Sequence, residues 1–397
     1  MASDLLLSVV ATSRNDNHGK NLHYRMQQFV NGFVEQCKRH HLKAELILVE
    51  WNPPDNTKPL SQALNFPKDK GPCSIRIVTV PKEIHMRLDH SDKISLFQMI
   101  GKNVGIRRAK GKFVLATNID IIFSDALMSF IKKKLKTGHL YRVDRLDVPE
   151  TLPESAFYDE ILNYCARNVL RINGKSGTMF VKKRPLLKRI IAYLHEQTKF
   201  SFQFDFSPKR FFTTVYNSTI KECVHKAPIF LLHSALTPIK LVKRRIWKIG
   251  YKIKKMTKIL ISCLFPNHAL FPHTNACGDF TLLSLEDWFN LKGYPEWNIF
   301  SWHLDSIFVY QALQHGIIEK DLPRRMSIYH IEHEAGSGYS PEYAHLLFKR
   351  LDEKKIPYID DTALNNLLSN LKMSKEHVVY NDNKWGMSHL ALKEVEV

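Results

Sequence analysis

Asn118-Ile119-Asp120 places an amide and a carboxylate two residues apart, directly after the apolar run KFVLAT. In extended backbone that spacing aims both side chains to one side. Comparable polar groups follow two other apolar runs. Thr12, Arg14, Asn15 and Asp16 close LLLSVVATSRND, and Glu50 and Asn52 close AELILVEWN. No G-x-G-x-x-G follows the first run, and no G-x-x-x-x-G-K-[ST] occurs anywhere. Common dinucleotide dehydrogenases and P-loop NTPases are therefore poor fits. A nucleotide bound at these ends must be held by side chains and a metal rather than by a glycine-rich cradle. Asp305 sits in the first turn of a helix expected from about Trp302 to His315, where the positive helix end favours the carboxylate form. His330 and His333 fall in MSIYHIEH. Three residues apart in a strand they face opposite sides, so they are expected not to ligate one ion together.

The elements that must position these groups alternate. LLLSVVATS, AELILVEW, SIRIVTV and KFVLAT read as buried strands, the second and third stopped by Pro53 and Pro81. Between them lie helical stretches. Tyr24 to His40 carries Met26, Phe29, Val30, Phe33, Val34 and Cys37 at helical spacing, and Ser95 to Ala109 carries Phe97, Ile100, Val104 and Ile106. Strands separated by helices predict an α/β fold with a mostly parallel, doubly wound sheet, whose ligands bind at the carboxyl ends of the strands. The middle reads less clearly. YRVDRLDVP is expected as a loop of alternating charge, serving as a surface ion-pair patch or a substrate contact, and NGKSGTMFVKKR as a turn feeding a strand. SLEDWFNLKG reads as a helix capped by Ser284 and closed by Gly293. From Pro341 onward the sequence reads as helices followed by a polar end.

The chain has 397 residues, 44% hydrophobic and 24% charged, which is ordinary globular composition and argues against wholesale disorder. Its six cysteines are scattered without C-x-x-C or zinc-finger spacing, pointing to reduced thiols in a cytosolic setting. MASDLLLSVVATS has no basic segment ahead of its apolar run, so no signal peptide is expected, and no apolar run is long enough to span a bilayer. The formal charge of +19 is concentrated: Lys226 to Gly278 contains no Asp or Glu, and ten Lys and Arg fall between Lys226 and Lys258. There Val242, Ile246, Ile249, Ile253, Met256 and Leu260 form one helical stripe, with Lys243, Arg244, Lys248, Lys252, Lys254, Lys255 and Lys258 around the rest. Such a helix, spanning about 240–265, suits an anionic membrane interface. It also suits a solvated basic face over a core stripe. No motif supports nucleic acid, and none is expected as a partner.

The order of these pieces resembles the GT-A fold of nucleotide-sugar-dependent glycosyltransferases. SVVATSRND resembles that family's opening strand and nucleobase loop, SLFQMIGKNVGIRRAKGKFVLATNIDIIF its helix and metal-bearing D-x-D strand end, and GDFTLLSLEDWFNLKGYPEWNIFSWHLDSIFVYQALQHG its acceptor-side segment. Two departures stand out: D-x-D appears as Asn118-Ile119-Asp120, and the usual Glu-Asp pair as Leu304-Asp305. The resemblance implies a divalent cation, Mn²⁺ or Mg²⁺, on Asp120, with His330 as a late ligand and His333 in reserve. It implies donor contacts from Thr12, Arg14, Asp16, Glu50, Lys102, Asn103 and Asn118. Asp305, then Asp279, are its candidate bases in an inverting transfer, and Trp302 and His303 line the acceptor side.

The expected organisation is 1–137 for the nucleotide-sugar-binding half, 138–225 for a connecting region, 226–272 for a basic insertion, 273–340 for the acceptor and catalytic half, and 341–397 for a helical tail. The expected activity is transfer of a sugar from a nucleotide sugar to a glycan or lipid-linked acceptor, peripherally at the cytosolic membrane face. A non-catalytic carbohydrate- or membrane-binding protein is the alternative, with a nucleotidyltransferase behind it.

Overall fold

Four apolar runs form the centre of the protein, seen in a computed structural model that describes residues 4–155, 157–181, 272–333, 344–374 and 376–397. β1 (Leu7–Ser13) pairs in parallel with β2 (Ala44–Trp51) on one side and with β4 (Phe113–Thr117) on the other, while β3 (Cys73–Val80) lies parallel beyond β2. Every residue of β1, β2 and β4 is buried, as central strands covered on both faces require. The period of two divides β1 between layers. Leu7, Val9 and Ala11 pack on the side of helix α1 (Leu22–His40), and Val10 packs on the side of helix α2 (Gln98–Arg107). A Cβ on Gly105 would lie 2.4 Å from Val10 Cγ1, so α2 approaches β1 through a position that admits no side chain.

The chain runs β1, β2, β3 in one direction across the sheet and then returns to place β4 on the far side of β1. In open sheets such a reversal, here between the carboxyl ends of β1 and β4, is where ligands bind. After β4 come β5 (Ile121–Phe123), helix α3 (Asp125–Lys134), β6 (His139–Arg142), β7 (Arg145–Val148), helix α4 (Tyr158–Arg167) and the hairpin β8 (Arg171–Gly174) and β9 (Gly177–Phe180). The later part adds β10 (Phe280–Ser284), helices α5 (Leu285–Leu291) and α6 (Leu304–Gln314), β11 (Ile318–Asp321) and β12 (Ile328–Ile331). Helices α7 (Ala344–Glu353) and α8 (Asp361–Met373) and strand β13 (Lys393–Glu396) complete it. One sheet has the order β11-β6-β10-β4-β1-β2-β3-β13, and a second has β5-β12-β7-β8-β9.

The architecture is α/β with a parallel centre, but the large sheet is mixed: β10 is antiparallel to both β4 and β6, and β13 to β3. Two expectations change. YRVDRLDVP is not a surface loop; it supplies β6 and β7 to different sheets, and Arg142 and Asp147 within it are fully buried. The tail is helical only in part, because β13 extends the sheet beyond β3 and Arg76 reaches across to Glu394 at 2.7 Å. The hairpin β8–β9 matches the expected turn and strand. The basic stretch at 226–271 and the segment 334–343 lie outside the described residues. Among the described residues no helix is long and apolar enough to cross a membrane.

Candidate functional site

Asp120 stands where the chain leaves β4 for β5, at the sheet reversal. Strand registers then deliver its neighbours. β12 runs antiparallel to β5 with His330 opposite Ile121, and parallel to β7 with His330 opposite Asp147. The Ile331 amide donates to the Asp120 carbonyl at 3.0 Å. The His330 ring therefore lies between two carboxylates, Nε2 3.6 Å from Asp120 Oδ2 and Nδ1 3.2 Å from Asp147 Oδ1. β12 ends at Ile331, so His333 is no longer on strand geometry. Its Nε2 comes within 3.5 Å of the same Asp120 oxygen, and its ring centroid is 5.2 Å from that of His330. The expectation that the two histidines face apart is thus overturned, because the alternation that predicts it stops before the second one.

One ligand atom from each of Asp120, His330 and His333 lies within 4.8 Å of the others. Asp120 Oδ1 is buried without a hydrogen-bond partner, a condition that costs about 1–3 kcal/mol for a buried acceptor and that a cation would relieve. A carboxylate with two imidazoles suits Mn²⁺ better than Mg²⁺, which prefers an all-oxygen shell. A guanidinium also reaches this carboxylate. Arg25 Nη1 donates to Asp120 Oδ2 at 2.9 Å, and Arg25 Nη2 donates to the His18 and Lys20 carbonyls at 2.5 and 3.1 Å. Burial works against the charged form of His330, yet Asp120 foremost and Asp147 hold the ring protonated up to about 10. Burial likewise opposes the charge on Asp120, but His330 and His333 outweigh it and keep the acid well below the usual carboxylate range. A metal ligated by His330 must displace that ring proton.

Asn118 faces a different set of partners. Its Oδ1 accepts from Gln98 Nε2 at 2.9 Å and Lys102 Nζ at 2.8 Å, and its Nδ2 donates to Asp279 Oδ1. An amide serves here where a carboxylate could not, since one end must donate to Asp279. Lys102 is fully buried, also donates to the Gly278 carbonyl at 2.6 Å, and is pushed down to about 8 by burial. Asp279 is ion-paired through Oδ2 to Arg145 Nη1 at 2.6 Å, so both of its oxygens are engaged. Asp305 is less enclosed. Its Oδ1 accepts from the Ser306 amide at 2.8 Å, and its Oδ2 would lie 2.9 Å from a Cβ on Gly278.

A cleft of about 550 Å³ opens at the ends of β1, β2 and β3, with Arg14, Asn52, Lys82, His85 and Lys93 among its lining residues. Arg14 Nε donates to the Asn52 carbonyl at 2.7 Å, and Arg14 Nη1 lies 3.4 Å from Asp16 Oδ2. The Trp51 indole N–H points at His85 Nδ1 at 3.0 Å, which leaves Nε2 to donate to the Ser91 carbonyl at 3.1 Å. The other residues expected at the donor are committed to backbone. Thr12 Oγ1 donates to the Val49 carbonyl at 3.1 Å, and buried Glu50, its acidity weakened by burial, accepts from the Leu60 amide at 2.7 Å. Asn103 is fully buried and grips the turn after α5, donating to the Tyr294 carbonyl at 2.8 Å and accepting from the Tyr294 amide at 2.9 Å.

On the acceptor side both aromatic positions meet the tail. The Trp302 ring lies 5.3 Å from that of Phe348 in α7, edge to face, and His303 Nε2 lies 3.0 Å from Asp361 Oδ1 at the start of α8. Three charges beside the cluster, buried Arg25 and Asp147 and half-buried Arg145, were not among the site residues expected from sequence. Arg25 does carry a signal, because it interrupts the buried stripe Leu22, Met26, Phe29, Val30 and Phe33, where a charge needs a partner.

No protein-family model and no curated protein sequence matches the chain. Solved structures that align with it include TarS of S. aureus, at 12% identity over 93% of this chain and 43% of that one, with a TM-score of 0.36. GalNAc-T7, solved with UDP, GalNAc and Mn²⁺, aligns at 12% identity over 97% of this chain and 56% of that one, with a TM-score of 0.37. The chain spans about half the length of these two structures.

Proposed function

We propose that the protein is a metal-dependent glycosyltransferase of the GT-A kind, moving a sugar from a nucleotide sugar to a glycan or lipid-linked acceptor. The observation that supports this reading most is the convergence of Asp120, His330 and His333 at the sheet reversal, together with a cleft large enough for a nucleoside at the ends of β1, β2 and β3. An ion bound there supplies neutralising charge to the departing diphosphate. The chain's own residues do the rest. Arg14 in the cleft donates to the nucleotide, and Lys102 holds Asn118 and the Gly278 carbonyl in place. Arg25 sits close enough to Asp120 to add positive charge on the diphosphate side.

Of the two candidate bases, Asp305 is the better placed for an inverting transfer, since Asp279 is spent on Arg145 and Asn118. In that reaction the acceptor oxygen bonds to the anomeric carbon, its proton passes to Asp305, and the bond to the diphosphate oxygen breaks. The basic stretch at 240–265 brings the enzyme to an anionic membrane face in this reading.

A second reading is favoured by the Arg25–Asp120 pair and the saturated Asn118: a binding protein on the same scaffold, with fixed internal charges where the enzyme holds an ion. The two separate in one assay. Purified protein is incubated with a panel of sugar nucleotides, with and without Mn²⁺, and release of nucleoside diphosphate is followed. Metal-dependent release supports the enzyme. Binding with no turnover on any donor supports the second reading.

A further inference from the structure

The charged run Arg142-Val143-Asp144-Arg145-Leu146-Asp147 is only partly used by the site above, and its last residue is the most enclosed acid beside it. Asp147 has no exposed surface. Strand register sets it between His330 on β12 and Arg171 on β8. Its Oδ2 accepts from Arg171 Nε at 2.7 Å and Asn173 Nδ2 at 3.0 Å, with Arg145 Nη2 at 3.4 Å. Its Oδ1 faces His330 Nδ1 at 3.2 Å and Arg145 Nε at 2.9 Å. These last three atoms lie at ion-pair distance, yet each lacks an aligned hydrogen bond. Buried polar atoms left unaligned are uncommon, and three side by side mark a place where alignment waits on something else.

The far side of the same ring explains what that is. Nε2 is the nitrogen turned toward Asp120 and His333. An imidazole that ligates through Nε2 carries its proton on Nδ1, and a carboxylate behind Nδ1 fixes both the tautomer and the tilt of the ring. Asp147 is anchored from its other oxygen by Arg171, whose Nη2 is held in turn by Glu332 at 2.6 Å. The acid is therefore a fixed abutment behind the histidine.

We propose that Asp147 is a positioning residue that holds the Nδ1 edge of His330 so that Nε2 faces an ion bound at Asp120. This rests on Asp120, His330 and His333 being the metal site. It makes the charged run of β7 part of the metal centre's support rather than a substrate contact.

The test uses the whole 397-residue chain and Mn²⁺ alone, with free ion followed by electron paramagnetic resonance and folding by melting temperature. Asp147→Asn keeps the volume and loses the charge, and it should weaken Mn²⁺ binding about 10- to 100-fold, the usual effect of losing such an outer partner. Arg171→Met cuts the same ion-pair cluster on the side away from the ring. It should lower the melting temperature, and because Asn173 and Arg145 still hold the acid and its charge is kept, Mn²⁺ affinity should fall no more than about threefold. Asp147→Glu, which can still present an oxygen to Nδ1, should recover part of the affinity. A general structural role predicts that Arg171→Met weakens Mn²⁺ binding as much as Asp147→Asn does, and that result overturns the proposal. So does unchanged Mn²⁺ affinity in a folded Asp147→Asn protein. If the unmodified protein binds no Mn²⁺, the metal site itself is wrong, and the role of Asp147 falls with it.

Discussion

The acid–histidine cluster and the cleft are built in opposite ways. His330, Asp147 and Arg171 are set by strand registers and Asp120 by the short link between two strands, and all four are buried among charges of both signs. Arg14, Asn52, Lys82, His85 and Lys93 line an open cleft and come mainly from the loops and short turns that follow strands. The first region can hold an ion or a fixed ion-pair network within narrow limits, and the second can adjust to a bound molecule. Metal dependence should track the strands, and donor preference should track the loops.

Breaking the strand-held region should have the largest consequence. Asp120→Asn removes the carboxylate charge with little change in shape, and transfer should fall roughly 10³-fold because a bound ion supplies several kcal/mol of charge stabilisation. The same change leaves buried Arg25 without its counter-charge, so the melting temperature should fall too. Steady-state rates read beside thermal unfolding separate the two effects. Histidine substitutions sharpen the comparison. His330→Ala and His333→Ala should each weaken Mn²⁺ binding by about 10- to 100-fold, measured by calorimetry, with donor binding in the absence of metal little changed. Equal loss without metal would place the histidines on the nucleotide instead.

The loop-held region should respond more modestly. Arg14→Ala should weaken nucleotide binding about tenfold, the loss of one hydrogen bond to a charged group, while Mn²⁺ affinity stays the same. Failure of that separation would merge the two regions into one.

The smallest expected effect is a pH dependence confined to the cluster. In the metal-free protein Asp120 and Asp147 raise His330 to about 10, against an ordinary value near 6.5. A raised histidine contributes stability that is complete below about 6.5 and is lost as pH climbs toward its folded value. Between pH 6.5 and 8 the metal-free melting temperature should therefore fall more steeply than in His330→Asn. Above about 8 buried Lys102 acts in the opposite sense, so the comparison belongs below that point. Identical slopes in the two proteins would show that the ring is not charged in the folded state.

Much of the scaffold was readable because it is periodic. β1, β2 and β4 are buried on both faces and read as unbroken apolar runs, and Asp120 was found as the acid at the end of one of them. What escaped depends on where periodicity stops or on partners far away in sequence. His333 converges on Asp120 only because β12 ends at Ile331, and strand ends are poorly marked in sequence. Asp147 looked like loop charge because its burial comes from β8 and β12, 24 residues or more away along the chain. Asn118 looked like a weakened ligand, and nothing near it in the sequence signals that its amide donates to Asp279, 161 positions later. Arg25 escaped as well, although a charge inside an apolar stripe is a signal the sequence does carry.

Isothermal calorimetry of nucleoside-diphosphate sugars, titrated into the unmodified protein and into Asp120→Asn with and without Mn²⁺, tests the central claim most directly. Mn²⁺ should tighten donor binding at least tenfold in the unmodified protein and not at all in Asp120→Asn. Donor binding that ignores Mn²⁺ in the unmodified protein, or that Mn²⁺ still strengthens in Asp120→Asn, would contradict it.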